Sequence, residues 1–322
     1  MFQQELLNNV QQELPENTSL IEAVVQALDI SYDAAHRRVS LKSKFSLAEG
    51  IQLAKYYNLS LDVLFGVTKE DFIAVRKTQS VESQEELQMY FESSYTSLKD
   101  VFSSRNNQII YSAKDIPLFY TLSESCLTRF KFYTWLKVLD STLKNEKFEN
   151  FYVKPSLIRA SEKLLSVYDG VNITEIWDIT TINSTLKQIQ FYHKANQLTL
   201  NVALSLCEEL RQLIDSIFQK VSENTEKYQL YYNELFLMNN NVLVTTPTQQ
   251  ILYVPFSILS YYTTKDKITC SEAELFLRKQ LAGSKLLNTA GEADRNYFFN
   301  KMYKKIDALL MLLRATQEFD FE

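Results

Sequence analysis

A chain of 322 residues with 46% apolar side chains is long enough for two domains with ample core. Its net charge of −5 argues against a general polyanion binder, and only five Gly and five Pro argue against a sheet protein with many tight turns. Three cysteines, Cys126, Cys207 and Cys270, are too few and too far apart for a disulfide framework or a metal site, which fits a reducing cytoplasm.

The first residues lack the basic start and apolar run of a signal peptide. No stretch approaches the roughly 18 apolar residues of a membrane span. The expectation is a cytoplasmic protein without a membrane partner, mainly α, with helices joined by short links and one small β-hairpin.

The first informative stretch runs from Ser19 to Phe65. Ser19 with Glu22 has the spacing of a capping box, ahead of Leu20, Ile21, Val24, Val25 and Leu28 at helical spacing. Asp29-Ile30 is a break too short for a free loop. Ser31 can cap a second helix reaching Ser40, whose narrow apolar side is Ala35 and Val39 with Tyr32 at its edge. Ser46 and Glu49 form another capping box before Leu47, Ile51 and Ala54. Ser60 opens a final turn with Leu61, Leu64 and Phe65, and Gly66 is its expected stop.

Two helices joined by so short a turn make a helix-turn-helix unit, whose second helix can enter the DNA major groove. On that helix Asp33 and Arg37 point away from the apolar side. Ala34, His36 and Ser40 flank them, while Arg38 lies nearer the edge and suits a phosphate. An outward Arg can pair bidentately with guanine, and a carboxylate can accept from cytosine. Asp33 and Arg37 are also four apart, so an ion pair between them is the alternative.

Leu28-Asp29-Ile30-Ser31, the pair Arg37-Arg38 and the ending Leu53-Ala54-Lys55-Tyr56-Tyr57-Asn58-Leu59-Ser60-Leu61-Asp62-Val63-Leu64-Phe65 resemble the Cro/repressor (XRE) helix-turn-helix domain of bacterial transcription regulators. Within that family the stretch is similar to the BetR-like branch, where a Ser-Tyr-Asp-Ala-Ala type recognition helix precedes two arginines. The resemblance covers roughly the first fifth of the chain and implies five helices, the first over Met1 to Leu14. Asp29 stands where the family usually has Gly, and Arg38 where many members carry an aliphatic residue. Residues 115–135 and 270–300 resemble the C-terminal part of long regulators of this kind, a part to which the resemblance assigns no activity.

Charge is distributed unevenly. Residues 1–66 hold five basic against eight acidic residues, a net of −3. The six acids of residues 1–36 are followed by Arg37, Arg38, Lys42 and Lys44 within residues 37–44, without an acid among them. A positive edge therefore lies where a DNA backbone would run, although four such residues also suit a solvated loop. The candidate DNA contacts are Ser31, Tyr32, Asp33, His36, Arg37, Arg38, Ser40, Lys42 and Lys44. One protomer offers few phosphate contacts, so a homodimer on double-stranded DNA is expected, and six contacts would give a log–log salt slope of about −5.

Residues 67–84 read as a linker. From Glu85 to 322 the pattern is that of a larger helical regulatory and dimerisation domain. Leu87, Tyr90, Phe91, Tyr95, Leu98, Val101 and Phe102 recur at helical spacing. Ile109-Ile110-Tyr111 is a short apolar run, read as a turn or bridge. Pro117 can open a helix through Phe119, Tyr120 and Leu122. The aromatic run from Phe130 to Leu136 is core, with an effector pocket as its alternative. Further helices run through Ile158 to Tyr168 and from Thr181 to His193, where His193 has a capping or solvent-facing role.

Leu200 to Leu235 is the longest periodic segment. Leu204, Leu206, Leu213 and Phe218 widen its stripe beyond a two-stranded seam, favouring bundle core over a dimerising coiled coil. Asn241–Thr246 and Gln249–Val254 are the convincing strands of one hairpin. Helices near Ser271–Leu281 and Glu292–Arg314 flank a loop from Gly283, read as a polar connection with Lys285 as a weak anion candidate.

Two histidines far apart, with no nucleophile motif, Rossmann glycines or metal spacing, give no expectation of catalysis, cofactor or metal. The reading is a sequence-specific DNA-binding transcription regulator, acting as a homodimer and open to a small-molecule or peptide effector. The alternatives are a protein-interaction scaffold on a degenerate helix-turn-helix, or a peptide-sensing regulator.

Overall fold

In the computed structural model, the described residues are 2–15, 18–65, 73–102, 106–223, 225–235 and 237–318. Gly66 and the first part of the predicted linker, 67–72, lie outside them. The chain divides into two compact units, residues 1–74 and 75–322.

Five helices make the first unit: α1 (Phe2–Gln12), α2 (Leu20–Leu28), α3 (Tyr32–Val39), α4 (Leu47–Tyr56) and α5 (Leu61–Phe65). Leu6, Leu7 and Val10 of α1 meet Val24, Ala27, Leu28, Ala35 and Leu53 in one small core. The α2–α3 turn is possible because Asp29 adopts the left-handed conformation, φ 53° and ψ 49°. Ser19 differs from expectation: it occupies the N-cap of α2 without accepting a side-chain hydrogen bond. The Ser46–Glu49 capping box is formed. Ala54 is buried as expected, but Leu47 is 80% exposed and Ile51 is also exposed, and Leu53 joins Ala54 on the inward face of α4 in their place.

The second unit corrects the predicted fold class. It is built on an eight-stranded mixed sheet, not on helices with one hairpin. Its middle is a parallel trio, β2 (Gln108–Ala113), β3 (Asn172–Trp177) and β4 (Tyr228–Tyr232). Preceding β2 is α6 (Gln84–Val101). Connecting β2 to β3 are α7 (Cys126–Leu139) and α8 (Pro155–Leu165), and connecting β3 to β4 are α9 (Asn183–Lys194) and α10 (Leu200–Ser222). The chain then returns to the other side of β2 through an antiparallel meander, β5 (Val242–Thr245), β6 (Gln250–Ser257) and β7 (Ser260–Thr264).

β1 (Arg76–Lys77), inside the stretch read as linker, pairs with β7 and forms one edge of the sheet. After α11 (Lys267–Ala282), β8 (Lys285–Leu286) pairs with β4 and forms the other edge. There the Asn288 amide continues the ladder: its Oδ1 accepts from Leu230 N–H and its Nδ2 donates to the Tyr228 carbonyl, each at 2.9 Å. The final helix is α12 (Glu292–Glu318).

Strand alternation sorts side chains between two layers. Ile109, Tyr111, Trp177, Leu230, Val244 and Ile251 join the large core beneath α6 to α10 and α12. Ile110, Ile176, Leu243 and Leu252 face Cys270 and Leu277 of α11.

The misreadings have physical causes. Strands covered on both faces lack polar alternation, so Ile109-Ile110-Tyr111 carries no strand period. Tyr228 and Tyr231 continue the three-and-four spacing of α10 by coincidence, although the helix ends at Ser222 and β4 begins six residues later. Pro117 opens a 3-10 turn, Leu118–Thr121, rather than a helix. Few glycines proved compatible with a sheet because helices, not tight turns, join parallel strands. Where a sharp turn is needed, Leu259 supplies it at φ 57° between β6 and β7. The inward face of α10, from Ala203 to Val221, is buried in its own unit.

No helix among the described residues is long and apolar enough to cross a membrane.

Candidate nucleic-acid interface

The α3 face expected to meet DNA is built from its N-cap outward. Ser31 has extended backbone, and its Oγ accepts from Ala34 N–H at 3.3 Å. This satisfies one of the orphan donors of the first turn. Ser31→Ala is expected to cost about 1 kcal/mol of first-unit stability. Urea unfolding followed by far-UV circular dichroism will read that loss.

Ala35 is fully buried, and its small side chain lets α3 approach α2 closely. With Ala35 inward, Tyr32, Asp33, His36, Arg37 and Ser40 are all exposed, Tyr32 by 57%. Among the described residues no ion pair joins Asp33 to Arg37. Ser40 closes the helix, donating from Oγ to the His36 carbonyl at 2.6 Å. Lys42 and Lys44 follow it, also exposed.

Arg38 is placed differently. Its side chain is half-buried and runs back along the helix, donating from Nη1 to the Ala34 carbonyl at 3.1 Å and from Nη2 to Glu49 Oε1 at 2.5 Å. Glu49 Oε2 meanwhile accepts from Ser46 N–H at 2.7 Å in the α4 capping box. Burial works to raise the Glu49 carboxyl, but the Ser46 amide and Arg38 outweigh it and hold it below its ordinary value. Arg38 therefore ties α3 to α4.

Three further groups fix α2 and the loop after α3, and none was singled out in the sequence. Gln52 Nε2 donates to the Ala27 carbonyl at 2.9 Å, and Tyr57 Oη donates to the Ala23 carbonyl at 3.0 Å, so α4 holds α2 by its backbone. Gln3 of α1 reaches the loop after α3. Gln and Tyr side chains bonding distant carbonyls leave no periodic signal in a sequence.

Lys285 is held between Glu234 at 3.1 Å and Asp294 at 3.2 Å, which removes it as an anion site. The aromatic run at Phe130 to Leu136 is core: Phe130, Phe132 and Tyr133 are fully buried. His193 lies in the last turn of α9 with Nδ1 3.0 Å from the Leu198 carbonyl.

One buried acid stands out on β3. Glu175 is 0% exposed, with Oε1 accepting from Tyr120 Oη at 2.7 Å and Oε2 accepting from Trp177 Nε1 at 2.6 Å. The Tyr228 hydroxyl lies 3.1 Å from that of Tyr120, and the Lys220 ammonium lies over both tyrosine rings. Burial pushes the Glu175 carboxyl up to about 7, against the lowering by its two hydrogen bonds and the Lys220 charge.

Among the described residues no group of three or more His, Cys, Asp or Glu is placed to hold a metal ion. No protein-family model, no curated protein and no solved structure matches this chain.

Proposed function

We propose that the first unit binds double-stranded DNA sequence-specifically and that the chain regulates transcription as a homodimer. One observation carries this reading: the outward face of α3 presents Arg37 and Asp33 without an ion pair between them, directly ahead of exposed Lys42 and Lys44. Arg37 reads a base, with Asp33 and His36 beside it and Ser40 at the groove edge. Ser31 and Tyr32 sit at the helix start, near a phosphate, and Lys42 and Lys44 hold the backbone. Arg38 contributes from its clamp on Glu49, by fixing the helix end rather than by reaching out.

A protein-interaction role is the second reading. Leu47, Ile51 and the half-exposed Leu41 favour it, because they place apolar surface on the same small unit.

Fluorescence anisotropy on labelled DNA from the upstream region of its own gene, titrated across salt, separates the two. The regulator reading expects binding at low salt with a log–log slope of about −4, since Lys42 and Lys44 of two protomers make four phosphate contacts once Arg38 is held on Glu49. Arg37→Ala should weaken selected sequences by about 1–3 kcal/mol and leave others nearly unchanged. A folded, dimeric protein that binds none of this DNA at low salt would sink the regulator reading and leave the interaction module.

A further inference from the structure

The loop between α3 and α4 is held in a conformation that its own residues do not favour. Leu41 adopts φ 61°, a left-handed geometry that a branched side chain rarely takes, and is half exposed. Arg38 Nε and Ser43 Oγ are buried without a hydrogen-bond partner. Strained backbone and orphan polar atoms persist only where neighbouring contacts over-determine the geometry.

Backbone bonds from Leu41 N–H to the Arg38 carbonyl at 3.1 Å and from Ser43 N–H to the Arg37 carbonyl at 3.0 Å close the loop on itself, and one side chain of α1 ties it to the rest of the unit. Gln3 Nε2 donates to the Arg38 carbonyl at 2.8 Å and to the Ser43 carbonyl at 2.9 Å, while Gln3 Oε1 accepts from Phe45 N–H at 3.0 Å. Both amide hydrogens and the amide oxygen are engaged, across sequence separations of 35 to 42 residues. The three bonded positions bracket Lys42 and Lys44 from both sides.

We infer that Gln3 is a positioning residue for DNA binding, holding the loop so that Lys42 and Lys44 stand in line with the exposed face of α3. The inference rests on the DNA-binding reading of that face. Gln3 touches no DNA itself. It acts by removing the conformational freedom that the two lysines would otherwise lose on meeting phosphates, which is preorganisation.

The test is a set of thermodynamic cycles on the same labelled DNA, using full-length protein at a temperature where circular dichroism shows each variant folded. Gln3→Leu is expected to weaken binding about tenfold and to reduce the salt slope by about 2, one phosphate contact per protomer of a dimer. Base preference should stay as in the wild type. Combined with Lys42→Ala and Lys44→Ala, Gln3→Leu should add little, because the contacts it positions are gone; combined with Arg37→Ala it should add its full effect. Gln3→Glu keeps the acceptor for Phe45 and removes both donors, so it gives a second variant should Gln3→Leu fold poorly, with weakening expected again.

Equal weakening by Gln3→Leu in every background, with an unchanged salt slope, would show a merely structural residue and overturn the inference while leaving DNA binding intact. No wild-type binding at all overturns the DNA reading, and this inference with it.

Discussion

Glu175→Gln is expected to stabilise the second unit above neutral pH and to flatten its pH dependence. The native carboxyl is raised to about 7, whereas an unfolded chain ionises near its ordinary 4.5. Below 4.5 both states are protonated and Glu175 contributes no pH dependence. Between 4.5 and 7 the unfolded state binds fewer protons than the native one, so stability falls as pH rises. Above 7 the native state holds a buried carboxylate, and the accumulated loss is about 3 kcal/mol.

Glutamine removes that titration and keeps the geometry. Its oxygen can accept from Trp177 Nε1, and its amide can donate to the Tyr120 hydroxyl, which lies 2.7 Å from the native carboxylate. Urea unfolding followed by tryptophan fluorescence at pH 5, 6, 7 and 8 will read the difference. The two proteins should lie within about 1 kcal/mol at pH 5, with the variant ahead by about 2–3 kcal/mol at pH 8. Parallel curves across the range would mean that Glu175 titrates normally and that its burial does not govern its charge.

Leu53→Ala is expected to unfold the first unit selectively. Leu53 is 0% exposed in a core of eight buried residues, and truncation at such a site costs about 2–5 kcal/mol. A unit of 74 residues has a total stability of roughly 4–11 kcal/mol, so this is a large share of it. The chain supplies separate reporters. Both tryptophans, Trp135 and Trp177, belong to the second unit, whereas helical circular dichroism counts both. Loss of Leu53 should lower an early circular-dichroism transition by about 10 °C or more, while the tryptophan transition stays in place. A single transition that shifts equally in both signals would show that the two units unfold as one.

Legibility differed between the units for a physical reason. In the first, local capping signals carry much of the structure. Ser31 and Ser46 each bond the amide expected of an N-cap, and Asp29 takes the left-handed turn. Ser19 fails because a box spacing is necessary for the bond and not sufficient. The exposed face of α3 followed from helical period alone, since burying Ala35 decides which residues turn outward. Period could not show that Arg38 folds back onto Glu49, because a long flexible side chain chooses between partners that only the tertiary fold brings near.

In the second unit the decisive contacts are between strands far apart in the chain. Ile109 pairs beside Ile173 and Val244, and Glu175 beside Leu230. Such pairings leave only short apolar runs, and these look alike whether a helix or a covered strand uses them. The hairpin at β5 and β6 was readable because its strands are close in sequence and joined by a polar turn. A buried glutamate on a central strand was not legible, since one hydrogen-bond partner, Tyr120, is 55 residues away and the other, Trp177, faces it only once the segment is extended as β3.

The borders of the sheet set limits on how copies of this protein can associate. An open β edge is a template on which another chain can lay a strand, and it drives aggregation. Here both borders are two residues long. Arg76 and Lys77 occupy one; Lys285 occupies the other, where the Asn288 side chain imitates a further strand by filling the Leu230 and Tyr228 backbone positions. Strand addition would have to displace these partners and bring another backbone against lysine or arginine. Self-association through the sheet is thereby disfavoured, which protects concentrated protein from growing into fibres by strand addition.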